Sequence, residues 1–129
     1  MARILLVEDD SHVLLLLEHV LRGEDYDVDT AATVEQAQSR LRQHRYDLVV
    51  TDGKLPDGTG MMVGDMATAA NTETLIITGF ALQLPRDELS RFDYLLKPVR
   101  PAELLRAIGP EADFQFAAGI RPIAPNSRE

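Results

Sequence analysis

A chain of 129 residues is long enough for one domain with one moderate core. Its net charge of −8 and pI near 4.8 exclude broad binding to nucleic acid or to an anionic membrane, because no local basic face outweighs that field; cations and basic partners suit it. The absence of cysteine excludes disulfides, thiolate metal sites and thiol nucleophiles. No apolar stretch reaches the roughly 20 residues of a membrane span. Glu8, Asp9 and Asp10 stand where a secretory signal would have its hydrophobic centre, so the expected location is the cytoplasm.

Arg3 to Val7 is a compact aliphatic run, read as a buried strand and ended by Glu8, Asp9 and Asp10. Ser11 to Arg22 follows as a helix, with Asp10 as its cap, Val13, Leu16, Leu17, Val20 and Leu21 on the inward face, and Gly23 as its stop. Leu15 falls opposite that face and Leu14 on its margin, so the helix offers more aliphatic surface than folding requires. Tyr26 to Ala31 alternates as an edge strand would, its acidic outward positions discouraging further pairing. Thr33 and Gln36 form a capping box before a helix from Val34 to Gln43, with Val34, Ala37 and Leu41 on one side.

The segment Tyr46 to Gly60, YDLVVTDGKLPDGTG, contains an apolar run without strong alternation, which suits a strand buried on both faces. It stops at Asp52, and Gly53, Pro56, Gly58 and Gly60 force a turn. Met61 to Ala70 reads as a helix and Thr74 to Thr78 as another short buried strand. Pro85 leaves room for a helix of only one or two turns near Arg86 to Arg91. Tyr94 to Leu96 reads as a fifth strand leading into Lys97-Pro98. Pro101 opens a last helix through Ala102 to Ile108, stopped by Gly109-Pro110.

Five strands alternating with five helical segments predict an α/β fold with a doubly wound parallel sheet. Glu8 and Asp9, Asp52, Thr78 and Lys97 then all follow C-terminal strand ends, where open α/β sheets bind ligands. A random distribution would scatter some to the other edge. Only two lysines, Lys54 and Lys97, stand against eleven arginines, and both lie in these segments.

Four motifs carry a resemblance: LLVEDD at Leu5 to Asp10, TDGKLPDGTG at Thr51 to Gly60, IITG at Ile76 to Gly79 and YLLKPVRPAEL at Tyr94 to Leu104. In their order and spacing the chain resembles the receiver domain of bacterial two-component response regulators, from Arg3 to about Gly109. The resemblance implies a flavodoxin-like sheet of order 2-1-3-4-5, here with a shortened fourth helix. It implies a regulatory phosphoacceptor rather than an enzyme with an external substrate, charged by a sensor histidine kinase or a histidine phosphotransfer protein. Carried over position by position, Asp52 is the phosphoacceptor, and Glu8 and Asp9 are the acidic pair for Mg²⁺, with Lys54 lending its backbone carbonyl. Thr78 is the switch hydroxyl, Tyr94 the switch aromatic and Lys97 the phosphoryl-contacting lysine. Lys54 and Phe80, two positions beyond the phosphoacceptor and the switch hydroxyl, border the approach of hydrolytic water, Phe80 as a shield that lengthens the phosphorylated state. The first helix, through Leu14 and Leu15, is the surface for the phosphodonor.

The chemistry fits those residue types. A carboxylate attacking a phosphoryl group meets like-charge repulsion, which a divalent cation relieves by bridging the two. Mg²⁺ takes few carboxylates and several waters, which suits Asp9 and Asp52 as direct ligands and Glu8 through water. Lys97 supplies a compact positive charge, and Gly79 leaves space beside the phosphoryl group. Two rival readings are a pseudo-receiver, acting as a phosphorylation-independent interaction module, and a phosphatase of the haloacid dehalogenase type. The intact acid pair, Asp52, Thr78 and Lys97 weigh against the first. Lys54 stands where the second would need an aspartate. Residues 1–109 are the expected receiver and 110–129 a tail without an output domain. Its Phe114, Phe116, Ile120 and Ile123 are expected to pack on the reduced fourth-helix face or on a second protomer in a homodimer.

Overall fold

The computed structural model describes residues 2–79 and 83–109. Five strands, β1 (Arg3–Val7), β2 (Asp27–Ala31), β3 (Leu48–Asp52), β6 (Glu73–Thr78) and β7 (Asp93–Leu96), form one sheet of order β2-β1-β3-β6-β7. Every neighbouring pair in it is parallel. Counting only these strands, the order is the expected 2-1-3-4-5. The helices between them are α1 (Ser11–Gly23), α2 (Val34–Gln43), α3 (Gly60–Ala69), α4 (Arg86–Leu89) and α5 (Pro101–Ile108). A two-residue hairpin absent from the sequence reading, β4 (Lys54–Leu55) with β5 (Gly58–Thr59), sits between β3 and α3.

Strand residues alternate between two cores, which is why the apolar runs show no polar phase. Ile4, Leu6, Val50 and Ile77 join Leu17, Leu21, Leu104 and Ile108 on the α1 and α5 side. Leu5, Val7 and Val49 join Ala37, Val63 and Ala67 on the α2 and α3 side. Fully burying one such aliphatic side chain stabilises the fold by roughly 1.5–3 kcal/mol, and the two-sided sheet uses nearly every strand position this way. A third cluster of Met61, Ile76, Leu84, Leu89 and Phe92 closes the region around the single turn of α4. Pro85 is its N-cap, and the helix has four residues, the shortening that the proline predicts.

One expectation for α1 is corrected. Leu16, placed on the buried face from the sequence, is 51% exposed. The core-facing arc runs through Leu17 and Leu21, with Val13, Leu14 and Val20 packed beside them. At about 100° per residue, Leu16 lies one step outside it. Capping follows the sequence more closely. Asp10 Oδ1 accepts from the His12 and Val13 amides, and Thr33 Oγ1 accepts from the Gln36 amide. The Gln36 side chain reaches back one residue further than a capping box requires, to the Ala32 amide.

Candidate phosphoacceptor site

The C-terminal ends of β1, β3, β6 and β7 bring Glu8, Asp9, Asp52, Thr78 and Lys97 to one edge of the sheet. One carboxylate oxygen from each of Glu8, Asp9 and Asp52 lies within 4.8 Å of the others. Glu8, Asp52 and Thr78 are buried, whereas Asp9 is exposed. Lys97 Nζ donates to Glu8 Oε1 at 2.9 Å and to Asp52 Oδ2 at 3.3 Å. The Asp10 amide donates to Glu8 Oε2, so both oxygens of Glu8 are engaged. Asp52 Oδ1 is buried and has no hydrogen-bond partner among the described residues.

This division of partners defines what the acids can hold. A buried carboxylate oxygen without a donor is costly, and one oxygen of this same carboxylate lies within 4.8 Å of an oxygen of the exposed Asp9. Three oxygen donors with one unpartnered suit a hard divalent cation such as Mg²⁺, which keeps several of its waters. Asp9 and Asp52 have the open positions for direct ligation, while Glu8, already held twice, is left to act through water. Burial lifts the Glu8 carboxyl above its ordinary range, against the lowering pull of its hydrogen bond from Lys97. For Lys97, burial pulls the ammonium down, but the hydrogen bond to Glu8 and the charge of Asp52 outweigh it and the net shift is upward. The lysine therefore stays charged across the neutral range.

Glycine makes the approach to Asp52 possible at two points. A Cβ on Gly53 would stand 2.7 Å from Thr78 Cβ and Oγ1 and 2.9 Å from Leu84 Cδ1, so the Thr78 side chain lies directly against the Gly53 backbone. A Cβ on Gly60 would collide with the Asp52 carbonyl oxygen, because the Gly60 amide donates to Gly53 O and draws the chain back under Asp52. Among the described residues, a Cβ at Gly79 would meet only Lys97 Cβ, at 3.7 Å. Tyr94 is half-buried against the third cluster, paired with Ile76, two residues before Thr78 on β6.

Two features of the site went unread in the sequence. The β4–β5 hairpin sets Lys54 opposite Thr59 on an exposed turn. From the same turn, Asp57 accepts the Val34 and Glu35 amides at 2.7 and 3.0 Å, tying the loop after Asp52 to the N-terminus of α2. Neither pairing has a local sequence signature. Phe80, Phe114, Phe116, Ile120 and Ile123 lie outside the described residues. Leu15 is 63% exposed. Leu14 is half-buried and packs on the core, so the exposed aliphatic pair of α1 is Leu15 with Leu16.

The doubly wound sheet gathers an acid cluster and a lysine at its C-terminal edge, the end at which open α/β sheets bind ligands. The family model of the response regulator receiver domain matches residues 4–109, and the chain belongs to that family, whose members switch by phosphorylation. The DNA-binding response regulator MtrA of Mycobacterium tuberculosis H37Rv is 32% identical over 117 residues, which cover 82% of this chain and 48% of MtrA. The chain thus spans about half the length of the curated relatives it matches. Among solved structures, the receiver domain of the sensor histidine kinase PA1611 from Pseudomonas aeruginosa PAO1 has a magnesium ion coordinated in its active site cleft. It is 30% identical, with TM-score 0.73, and the match covers 92% of this chain and 98% of that one. The response regulator TrrA from Thermotoga maritima, in complex with Mg²⁺ and BeF, is 28% identical with TM-score 0.73, covering 81% and 93%. No described helix is long and apolar enough to cross a membrane.

Proposed function

We propose that Asp52 accepts a phosphoryl group from a phosphohistidine of a sensor kinase or phosphotransfer protein in the cytoplasm, with Mg²⁺ held by Asp9, Asp52 and, through water, Glu8. The Lys54 carbonyl is the proposed backbone ligand. The observation that carries this reading is the division of the Asp52 carboxylate, with Oδ2 on Lys97, Oδ1 without a partner among the described residues, and the Asp9 carboxylate within 4.8 Å of it. When bound, the cation screens the charge between carboxylate and phosphoryl oxygens.

The remaining work falls to the chain itself. An Asp52 oxygen forms the new bond to phosphorus as the bond from phosphorus to the histidine nitrogen breaks, and the imidazole leaves with that electron pair. Lys97 Nζ, already on Asp52 Oδ2, is placed to transfer one of its hydrogen bonds to a phosphoryl oxygen. Thr78, against Gly53, supplies the hydroxyl whose displacement couples occupancy to β6 and the α4 region, and Tyr94 follows it. The result is a population shift between two conformers. Lys54 and Phe80 are the proposed determinants of phosphoryl lifetime.

Acetyl phosphate with Mg²⁺, read by intact mass, tests the reading. The expected result is addition of one phosphoryl group, abolished by chelator and by Asp52→Ala. Absence of any addition in the unsubstituted protein would favour the phosphorylation-independent module instead.

A further inference from the structure

Asp57 is the second acid of the Thr51 to Gly60 segment, and it stands apart from the cluster of Glu8, Asp9 and Asp52. It lies in the turn of the β4–β5 hairpin, between the paired residues Leu55 and Gly58. Both of its oxygens go to another element: Oδ1 accepts from the Val34 amide at 2.7 Å and Oδ2 from the Glu35 amide at 3.0 Å. These are the first two amides of α2, which no carbonyl within the helix can satisfy. The local cap, Thr33 Oγ1, takes the third, at Gln36. Val34 brings its side chain to the same junction, since a Cβ on Gly58 would stand 3.1 Å from Val34 Cγ2. At the other end of the hairpin, the Gly53 amide donates to Ile77 O and the Gly60 amide to Gly53 O. Leu55 anchors β4 in the α2 and α3 core. Lys54 thus lies in a short strip of chain fastened to β6 at its start and to α2 at its turn.

We propose that Asp57 is a positioning residue of the metal site: by pinning the hairpin turn to the N-terminus of α2, it holds the Lys54 carbonyl in place for the cation. The proposal rests on the reading of Asp9, Asp52 and the Lys54 carbonyl as the ligands of Mg²⁺, and adds a residue that touches none of the reacting atoms. A hairpin with two residues in each strand does not hold its own shape in water, so its course depends on what its turn is fastened to. Two charge-assisted hydrogen bonds from one carboxylate fix both position and direction, where a single bond would leave the turn free to pivot. Mg²⁺ demands near-octahedral geometry, so a carbonyl that drifts is lost as a ligand. Partners that orient metal ligands in this way contribute roughly 10- to 100-fold to affinity. With both oxygens on α2, Asp57 acts through the chain and not as a ligand.

The test is a Mg²⁺ titration of the full chain, followed by amide NMR shifts well below the melting temperature, for the unsubstituted protein, Asp57→Ala and Asp57→Asn. Neither variant can accept from both amides, and each is expected to weaken Mg²⁺ binding about tenfold. Two controls separate positioning from its rivals. Thr33→Ala removes the local cap and lowers stability while leaving the hairpin tied, and Glu35→Gln removes an equal charge beside the same helix end. Both should keep the affinity within about twofold of the original. With acetyl phosphate, Asp57→Asn should raise the half-saturating Mg²⁺ concentration by the same factor and leave the rate at saturating Mg²⁺ close to that of the unsubstituted protein. Equal affinity in the unsubstituted protein and both Asp57 variants would overturn the proposal while the metal site stands; no binding to the unsubstituted protein would overturn both. A loss matched by Thr33→Ala or by Glu35→Gln would also overturn it, by assigning the effect to helix stability or to charge. If Asp57→Ala fails to fold, Asp57→Asn, which keeps one acceptor oxygen, decides between the same outcomes.

Discussion

Tyr46 donates its phenol to Asp29 Oδ2 at 2.6 Å, while Arg3 reaches the same oxygen at 3.1 Å and lies 5.5 Å from the Tyr46 ring centroid. The Tyr46 bond, followed by Arg3, holds the Asp29 carboxyl below its ordinary range despite partial burial. Burial and the same carboxylate push the Tyr46 phenol well up. A depressed carboxyl contributes stability that is present above its unfolded pKa, about 3.9, and is lost as pH falls through its folded pKa. Tyr46→Phe should therefore cost roughly 1 to 2 kcal/mol at neutral pH and flatten the acid limb of a stability-versus-pH curve. An unchanged acid limb would show that Arg3 alone sets the charge of Asp29. This network was invisible in the sequence, where Tyr46 reads only as the start of a strand segment and Asp29 as an outward edge acid. A contact spanning 17 positions has no periodicity to announce it. Asp52, Glu8 and Asp9 were legible for the opposite reason: each ends an apolar run abruptly, and the parallel topology sends all such ends to one edge.

At the scale of elements, strands and most helices could be read from their apolar spacing, and α4 from a single proline. The β4–β5 hairpin could not, because strands of two residues carry no repeat. Orientation was the weaker inference for α1. Five consecutive apolar residues, Val13 to Leu17, leave the helix free to rotate by one position, and packing against β1 and α5 selected Leu14 inward and Leu16 outward. The exposed pair of Leu15 and Leu16 is where we expect the phosphodonor to dock. Leu15→Glu should slow transfer from a histidine donor at least severalfold while leaving the rate with acetyl phosphate unchanged, as stopped-flow or gel-based phosphotransfer assays would register. Equal rates from the protein donor would remove α1 from that interface.

The whole molecule carries net charge −8, and three of its acids converge at the candidate site with one lysine to balance them. A cation that binds the folded state alone must stabilise it by mass action. Millimolar Mg²⁺ should therefore raise Tm, and Asp9→Asn should erase most of that rise with little effect on the metal-free melt, since Asp9 is exposed. A rise that survives Asp9→Asn would place the cation elsewhere on the acidic surface.

The most direct measurement locates the phosphoryl group. The protein is treated with acetyl phosphate and Mg²⁺, the acyl phosphate is reduced with borohydride, and digested fragments are sequenced by mass spectrometry. The modification should fall on Asp52 alone, because that carboxylate combines burial, Lys97 on one oxygen, a second oxygen without a partner among the described residues, and Asp9 close by. Modification at Asp9 or Asp10 with Asp52 untouched would contradict the assignment of Asp52 as phosphoacceptor.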